Sequence, residues 1–308
     1  MSASPQAFSL PGGAVTVVLI HGFTGSPSEM QLLAESLNAE GYGIEVPLLA
    51  GHGTTLKDLM EVHPQQWIAP LDALITRLLS EGQSVVVGGL SLGSILSLQL
   101  ALRYPQIKAL LLYSPPIRSG DPRRFLAPLL IRFTQSLPKP ASDFFDQGAA
   151  KRLWSYDRYP VATSARVLDL ISRTRKQLTQ VQQPLLAIAS RRDKVISASG
   201  IDLLMRNVQS SPRELHWLER SGHAITVDAE WTAVRDLSLE FLRKIFSTST
   251  SSMDQVERDN WQRVLDSLEA AGDKGSGFYR RAKAICNGEP DPLLEQERQD
   301  QEQREQST

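Results

Sequence analysis

Short, uninterrupted runs of aliphatic residues recur along the chain and alternate with stretches of helical period. The run VTVVLI at residues 15–20 is apolar and β-branched, as is typical of a strand buried on both faces of a parallel sheet. Further strands are predicted in YGIEVP, SVVVGG and IKALLLYSP, and helices over about 28–40, 64–81 and 92–103. This alternation predicts an α/β fold with a doubly wound, mostly parallel sheet.

The alternation is interrupted after the strand at about residues 107–113. From Pro115 to about Gln183 the chain has prolines, helical stretches and scattered aromatic residues, with no convincing buried strand. The alternation resumes with QPLLAIAS and RELHWLE as strands and with helices over about 198–207 and 228–246. The interruption predicts a small helical cap inserted on the sheet, and the alternative is a helical hairpin that completes the core.

These patterns divide the chain into three parts. Residues 1–116 and 182–247 are predicted to form the α/β core, and residues 117–181 the cap. The composition changes after Phe246, where STSTSS is typical of a linker, so residues 248–308 are predicted to be a C-terminal extension.

The extension itself is expected to be part helical and part disordered. Ser252 and Gln255 offer a capping-box start for a helix over about 253–271. A short helix is predicted over about 277–287. From about residue 289 the chain is polar, glutamine-rich and acidic, which favours disorder.

Composition excludes several classes of function. The 308 residues carry a net charge of −1 with no basic stripe, so we expect no nucleic-acid partner. No apolar run approaches the length of a transmembrane segment, and the N-terminal residues do not resemble a signal peptide. The only cysteine, Cys286, cannot form an internal disulfide. A cytoplasmic protein is the expectation.

The pentapeptide Gly-Leu-Ser-Leu-Gly at residues 89–93 lies between a predicted strand and a predicted helix. A serine at such a turn is a nucleophile elbow, in which flanking glycines let the strand and helix pack closely. The serine side chain then projects at the helix N-terminus, where backbone N–H groups and the helix dipole favour an oxyanion. Ser91 is therefore the predicted nucleophile.

A serine nucleophile needs a histidine base and a carboxylate that orients it. Two histidines follow Ser91: His216 lies inside a strand pattern, whereas His223 lies in the loop after it, so His223 is the predicted base. Asp193 follows the preceding strand and is the predicted acid. Asp228 lies too close behind His223 and better suits the N-cap of the last helix of the core.

An oxyanion hole needs two backbone donors. One is expected from Leu92, the residue after the nucleophile. The other is expected from Phe23, in the loop LIHGFTG after the first core strand. His21 in this loop and His52 in LLAGHGTT are interpreted as structural loop histidines.

The motifs HGFTG, GHG, GLSLG, the Asp193 loop and SGHAITVD together resemble bacterial carboxylesterases of the α/β-hydrolase superfamily, the monoacylglycerol-lipase-like esterases with a small cap. The resemblance covers about residues 6–246. It implies an α/β-hydrolase fold and hydrolysis of short- to medium-chain acyl esters, with no metal and no cofactor. It also implies a catalytic triad and two oxyanion donors: Ser91, Asp193 and His223, with the N–H groups of Phe23 and Leu92.

Other functions stay open at this point. The same chemistry suits a monoacylglycerol lipase, a lysophospholipase or an acyl thioesterase, and a peptidase or haloperoxidase-like enzyme shares the fold. Four arginines in the cap suit an anionic head group, or else form a solvated basic face: Arg118, Arg123, Arg124 and Arg132. The alternative from another class is a catalytically silent scaffold that docks a protein partner, or its own core, through the C-terminal helices.

Overall fold

A seven-stranded sheet organises the protein. The computed structural model describes residues 4–118, 134–287 and 292. In chain order the strands are β1 (Phe8–Leu10), β2 (Val15–Ile20), β3 (Gly43–Val46), β4 (Ser84–Leu90), β5 (Ala109–Tyr113), β6 (Ser136–Pro138), β7 (Arg158–Pro160), β8 (Leu185–Ser190) and β9 (Arg213–Leu218). The large sheet has the order β1-β3-β2-β4-β5-β8-β9, and every neighbouring pair except β1 with β3 is parallel. The predicted mostly parallel sheet is confirmed.

Helices connect the parallel strands. The α-helices of the described residues are α1 (Gln31–Ala39), α2 (Leu56–Glu61), α3 (Pro64–Ser80), α4 (Leu92–Arg103), α5 (Val161–Lys176), α6 (Ala198–Asn207), α7 (Trp231–Ala270) and α8 (Gly277–Cys286). Strands β4, β5 and β8 lie inside the sheet, with a neighbour on each side, and the residues of β5 and β8 are buried throughout. Because both faces of these strands are covered, they read as continuous apolar runs in the sequence.

The insertion between β5 and β8 contains both strand and helix. Strands β6 and β7 pair as a small antiparallel ladder, with Leu137 opposite Tyr159, and α5 follows at once. The two strands were not predicted because three residues are too few to show a period. Residues 119–133, with the predicted arginines Arg123, Arg124 and Arg132, lie outside the described residues.

Helix α5 is part of the main apolar core. Its residues Val167, Leu170 and Ile171 are buried in the same cluster as the side chains of α4 and of the central strands. The insertion therefore contributes packing to the core. The boundary of a separate cap at residues 117 and 181 stays a prediction.

The C-terminal region differs from the sequence expectation. The chain forms two compact units, residues 1–242 and 243–308. Helix α7 runs from Trp231 to Ala270 without a break at STSTSS, so the predicted linker there is wrong. Serine and threonine lower helix propensity only modestly, and a helix with no proline or glycine at that point continues through them. The predicted disorder from about residue 289 concerns residues outside the described part of the chain, apart from residue 292.

The second unit contains helix α8 and the part of α7 from Arg243 onward. The Ser276 side chain caps α8 by accepting the N–H of Tyr279 at 3.1 Å. The Tyr279 hydroxyl donates to Glu269 on α7 at 3.0 Å.

Within the described ranges, no helix has an apolar stretch long enough to cross a bilayer.

The packing of α5 predicts the effect of truncating Leu170, which is 6% exposed. Leu170→Ala is expected to lower the free energy of unfolding by about 2–5 kcal/mol, because it removes buried methyl groups and leaves a cavity. Urea unfolding followed by circular dichroism measures this loss. The matched control on the same helix is Arg173→Ala, whose side chain is 74% exposed; it should change the free energy by no more than about 0.5 kcal/mol. Equal effects of the two substitutions would contradict the core role of α5.

Candidate active site

Ser91 is the single residue between β4 and α4, and its backbone is strained. Its φ of 54° lies in the left-handed region that non-glycine residues rarely adopt. A Cβ atom at Gly89 would lie 2.4 Å from the carbonyl carbon of Gly93, and one at Gly93 would lie 2.0 Å from the carbonyl oxygen of Ile20. The two glycines therefore allow β4, α4 and β2 to approach closely while Ser91 stands at the apex.

His223 and Asp193 form a hydrogen-bonded pair beyond β9 and β8. The His223 Nδ1 lies 2.6 Å from Asp193 Oδ2, and the Asp193 side chain is fully buried. The other carboxylate oxygen, Oδ1, accepts the N–H groups of Val195 at 2.7 Å and Ile196 at 3.1 Å. An ionised carboxylate only accepts, so Nδ1 carries the proton and Nε2 of the neutral imidazole is left as a base.

This pairing shifts the pKa values of both residues. Burial alone lowers the pKa of His223, but the charge of Asp193 and the hydrogen bond to it raise that pKa above the ordinary value. Burial alone raises the pKa of Asp193, and the charge of His223, its hydrogen bond and two backbone N–H groups bring that pKa below the ordinary value. The ionised carboxylate thus stabilises a protonated His223.

The last residue of β5 and the residue after it contact Ser91 and His223, respectively. The Ser91 N–H donates to the Tyr113 carbonyl at 2.9 Å, and the Ser114 hydroxyl donates to the His223 carbonyl at 2.8 Å. Ser91, Asp193 and His223 follow the carboxyl ends of the parallel strands β4, β8 and β9, at one edge of the sheet. Among the described residues, Asp193 and His223 are hydrogen-bonded, whereas no hydrogen bond joins the Ser91 hydroxyl to His223.

The loop from Gly22 to Gly25 lies beside the serine. A Cβ atom at Gly22 would be in contact with the Ser91 Cβ, at 3.6 Å. Phe23 follows Gly22 in this loop, and Leu92 is the first residue of α4. The first N–H groups of a helix have no acceptor within the helix, so Leu92 presents its N–H at the positive end of the helix dipole.

His21 and His52 hold this loop, in agreement with the structural role predicted for them. His21 Nε2 accepts the Leu49 N–H at 3.1 Å, and its Nδ1 donates to the Gly22 carbonyl at 2.9 Å. His52 Nε2 accepts the Thr24 N–H at 3.1 Å. Burial lowers the pKa of both residues, that of His52 to about 4, so both rings are neutral near pH 7.

The insertion contacts the same loop through ring stacking and through its main chain. The Tyr159 ring stacks on Phe23 with centroids 6.4 Å apart. The Tyr156 N–H donates to the Thr24 carbonyl at 2.9 Å, and the Trp154 N–H donates to the Ser28 hydroxyl at 3.0 Å. The described part of the insertion is thereby attached to the loop beside Ser91.

Asp228 has a different role from the N-cap predicted for it. Helix α7 begins only at Trp231. The buried Asp228 carboxylate instead accepts the N–H groups of Gly222 at 2.6 Å, Phe145 at 2.9 Å and Asp146 at 2.7 Å. It ties the His223 loop to the insertion. The contact spans more than 80 positions of sequence, and no local pattern indicates it.

Two further carboxylates near the site were missed. Glu29, buried in the 3₁₀ turn Pro27–Met30, accepts the Gly22 N–H at 2.7 Å. Asp143, from the insertion, accepts the His223 N–H at 3.3 Å, and both carboxylates raise the pKa of His223. No local sequence pattern identifies Glu29, because its role depends on burial and on its contact with Gly22, which a sequence does not show.

The doubly wound sheet, the serine elbow and the buried Asp–His pair define an α/β-hydrolase. A model of the family described as "Serine aminopeptidase, S33" matches residues 14–230, and the chain belongs to this family. The resemblance inferred from the sequence motifs is confirmed.

Known relatives are esterases and lipases. The chain is 28% identical over 243 residues to a carboxylesterase of Bacillus subtilis (strain 168), covering 79% of this chain and 98% of that protein. It is 30% identical over 244 residues to a thermostable monoacylglycerol lipase of Bacillus sp. (strain H-257), covering 78% and 94%. The protein is thus an enzyme of the esterase and lipase type.

Solved structures agree with this fold. A structure from a study of metagenome-derived lipolytic enzymes superposes with a TM-score of 0.74 at 28% identity, covering 79% of this chain and all of that one. The monoacylglycerol lipase of Paleococcus ferrophilus superposes with a TM-score of 0.65 at 20% identity, covering 78% and 99%. The second likeness concerns the fold alone.

The charge pairing predicts how His223 titrates. In the wild type, the imidazole of His223 should titrate above its ordinary pKa of about 6.5, because protonation is favoured by Asp193. Asp193→Asn should lower that pKa, because the substitution removes the negative charge that opposes the effect of burial on His223. NMR of protein labelled at the histidine rings measures both titrations, and His223→Gln identifies the resonance. An unchanged His223 pKa in the Asn variant would contradict the pairing.

Proposed function

We propose that the protein is a serine carboxylesterase that cleaves esters of short- to medium-chain acids through an acyl-enzyme intermediate. Ser91 is the nucleophile, His223 the general base and Asp193 the residue that orients it. The observation that carries this proposal is the 2.6 Å contact between His223 and Asp193, at the sheet edge where Ser91 stands on its strained turn.

In the first half of the reaction, His223 Nε2 takes the hydroxyl proton as Ser91 Oγ attacks the ester carbonyl carbon. The tetrahedral oxyanion accepts hydrogen bonds from the N–H groups of Phe23 and Leu92. The C–O bond to the alcohol then breaks, and His223 returns its proton to the departing oxygen.

In the second half, water attacks the acyl carbon of the Ser91 ester. His223 takes a proton from the water, and a second tetrahedral oxyanion forms on the same two donors. Collapse of this intermediate releases the carboxylic acid, and Ser91 recovers its proton from His223. Asp193 stays ionised throughout and stabilises the imidazolium in each half.

The second candidate is a monoacylglycerol lipase. It is favoured by the 30% identity to a monoacylglycerol lipase that extends over 94% of that relative. The two candidates share the residues above and differ in the ester they accept. We do not retain the silent scaffold, because serine, aspartate and histidine are all present and the two Bacillus relatives described above are enzymes.

We further propose that residues 248–308 serve location or assembly, through a protein partner or through docking on the core. All residues assigned to catalysis lie in the unit of residues 1–242, and the family match ends at residue 230. A cytoplasmic location is part of this proposal and rests on the composition, with Cys286 as the only cysteine.

Hydrolysis of p-nitrophenyl esters from acetate to palmitate tests the proposed reaction. The wild type should turn over short and medium chains fastest. Ser91→Ala should lower kcat by about 10⁴-fold or more, because the covalent route is lost. A maximum at long chains would favour the monoacylglycerol lipase, and monoolein hydrolysis would then decide. Cleavage of alanine p-nitroanilide but of no ester would overturn both candidates in favour of a peptidase.

Removal of the extension tests its separation from the chemistry. A chain ending at residue 247 should keep kcat/KM for p-nitrophenyl butyrate within about twofold, a change below 0.5 kcal/mol of transition-state binding. Size-exclusion chromatography of both forms should show whether assembly changes. A loss of kcat/KM of tenfold or more with an unchanged circular dichroism spectrum would place the extension in the catalytic machinery.

A further inference from the structure

Glu29 is a buried carboxylate that fills the inside of the loop from Gly22 to Gly25. Its Oε2 accepts the Gly22 N–H at 2.7 Å. A Cβ atom at Gly25 would lie 2.1 Å from Oε1, and one at Gly22 would lie 3.1 Å from Oε2. The glycines of HGFTG are thus required where the main chain wraps around this carboxylate.

The same residue also contacts the loop that carries the histidine. The main-chain carbonyl of Glu29 accepts the Thr226 hydroxyl at 2.7 Å, and Thr226 is buried. Thr226 lies three residues beyond His223. One residue therefore touches both the loop of the proposed oxyanion donor and the loop of the proposed base.

The charges that face Glu29 come from two elements. Burial raises the pKa of Glu29, while the Gly22 N–H, Lys139 on the insertion and His223 lower it. Lys139 in turn donates to the Ser155 hydroxyl at 2.5 Å. Burial of a carboxylate costs free energy unless the group is hydrogen-bonded or neutralised, whereas an apolar side chain fills the same space without that cost. Packing alone therefore does not explain a glutamate at this position.

The loop is held on both sides of Phe23. Glu29 holds the N–H of Gly22, and His52 holds the N–H of Thr24 at 3.1 Å. The direction of the Phe23 N–H depends on the backbone angles of Gly22, which has no Cβ atom and therefore the greatest conformational freedom. Without the bond to Glu29, the Gly22 N–H loses its acceptor, and Gly22 is held through its carbonyl, which accepts from Gly25 at 3.2 Å and from His21 at 2.9 Å.

We propose that Glu29 is a positioning residue, which aligns the Phe23 N–H with the developing oxyanion and couples this loop to that of His223. The inference rests on the proposed function, because it presumes that Phe23 donates to the oxyanion. Glu29 acts through Gly22 and takes no proton itself. A misaligned donor stabilises the transition state less and leaves substrate binding nearly unchanged. We therefore expect kcat to fall and KM to stay the same.

Two substitutions separate position from charge. Glu29→Ala removes the acceptor for the Gly22 N–H, and Glu29→Gln keeps an acceptor of the same reach without the charge. With p-nitrophenyl butyrate, Glu29→Ala is expected to lower kcat by about 10- to 100-fold, somewhat less than loss of an oxyanion donor. KM should stay within about twofold, and Glu29→Gln should recover kcat to within about threefold of the wild type.

A transition-state analogue gives a second readout. An alkyl trifluoromethyl ketone adds to Ser91 and forms a tetrahedral oxyanion, so its inhibition constant should rise in Glu29→Ala by the same factor as kcat falls. Leu37→Ala, in the fully buried core of α1, is the stability control. It should lower Tm and leave kcat and the inhibition constant as in the wild type.

Several outcomes overturn the inference. The first is a wild-type kcat in Glu29→Ala. The second is an equal loss of kcat in the Ala and Gln variants together with a shifted midpoint of the pH–rate profile, which would mean that Glu29 acts by its charge. If Glu29→Ala does not fold, Glu29→Asp keeps the charge but withdraws the acceptor. It should lower kcat at unchanged KM, and a wild-type kcat there overturns the inference. An inactive wild type, or an active Ser91→Ala, would instead overturn the proposed function.

Discussion

The absence of space for a Cβ atom at Gly89 and Gly93 is the constraint on which the rest of the site depends. Because neither position has a side chain, the end of β4 can pack against the first turn of α4, and α4 can pack against the end of β2. This close packing holds Ser91 at a positive φ and places the Leu92 N–H next to it. The strained apex is held by the buried apolar strands on either side and by the hydrogen bond from the Ser91 N–H to the Tyr113 carbonyl.

Three histidines at the same edge of the sheet differ in protonation because their surroundings differ. His21 and His52 are buried and use one ring nitrogen to accept a backbone N–H, so both are held neutral. The His223 side chain is 19% exposed, and Asp193 faces its Nδ1 and reverses the effect of partial burial on its pKa. The same type of side chain is thus a neutral hydrogen-bond acceptor in one loop and a group with a raised pKa in another.

The sequence predicted those features that are encoded locally. The apolar runs of β2, β4 and β5, the glycines around Ser91 and the loop positions of Asp193 and His223 are all legible within a few residues. Glu29, Asp143 and Asp228 were missed or misread, since their partners lie elsewhere in the chain and burial gives them their role. The continuous α7 was missed because a local signal was given too much weight. The serines and threonines of STSTSS disfavour a helix only weakly, and a helix that has already begun extends through them.

Peptide groups make one set of the attachments of the insertion to the core, beside side-chain contacts such as those of Tyr156 and Arg166. The Asp228 carboxylate accepts the N–H groups of residues 145 and 146. The N–H groups of Trp154 and Tyr156 donate to Ser28 and Thr24, in the turn and the loop beside Ser91. A peptide group is present whatever side chain it carries, apart from proline. Exchange of the side chains at residues 145, 146, 154 and 156 during divergence therefore leaves these hydrogen bonds to the core in place. Substrate preference can then evolve in this segment without disturbing the geometry of the reacting groups.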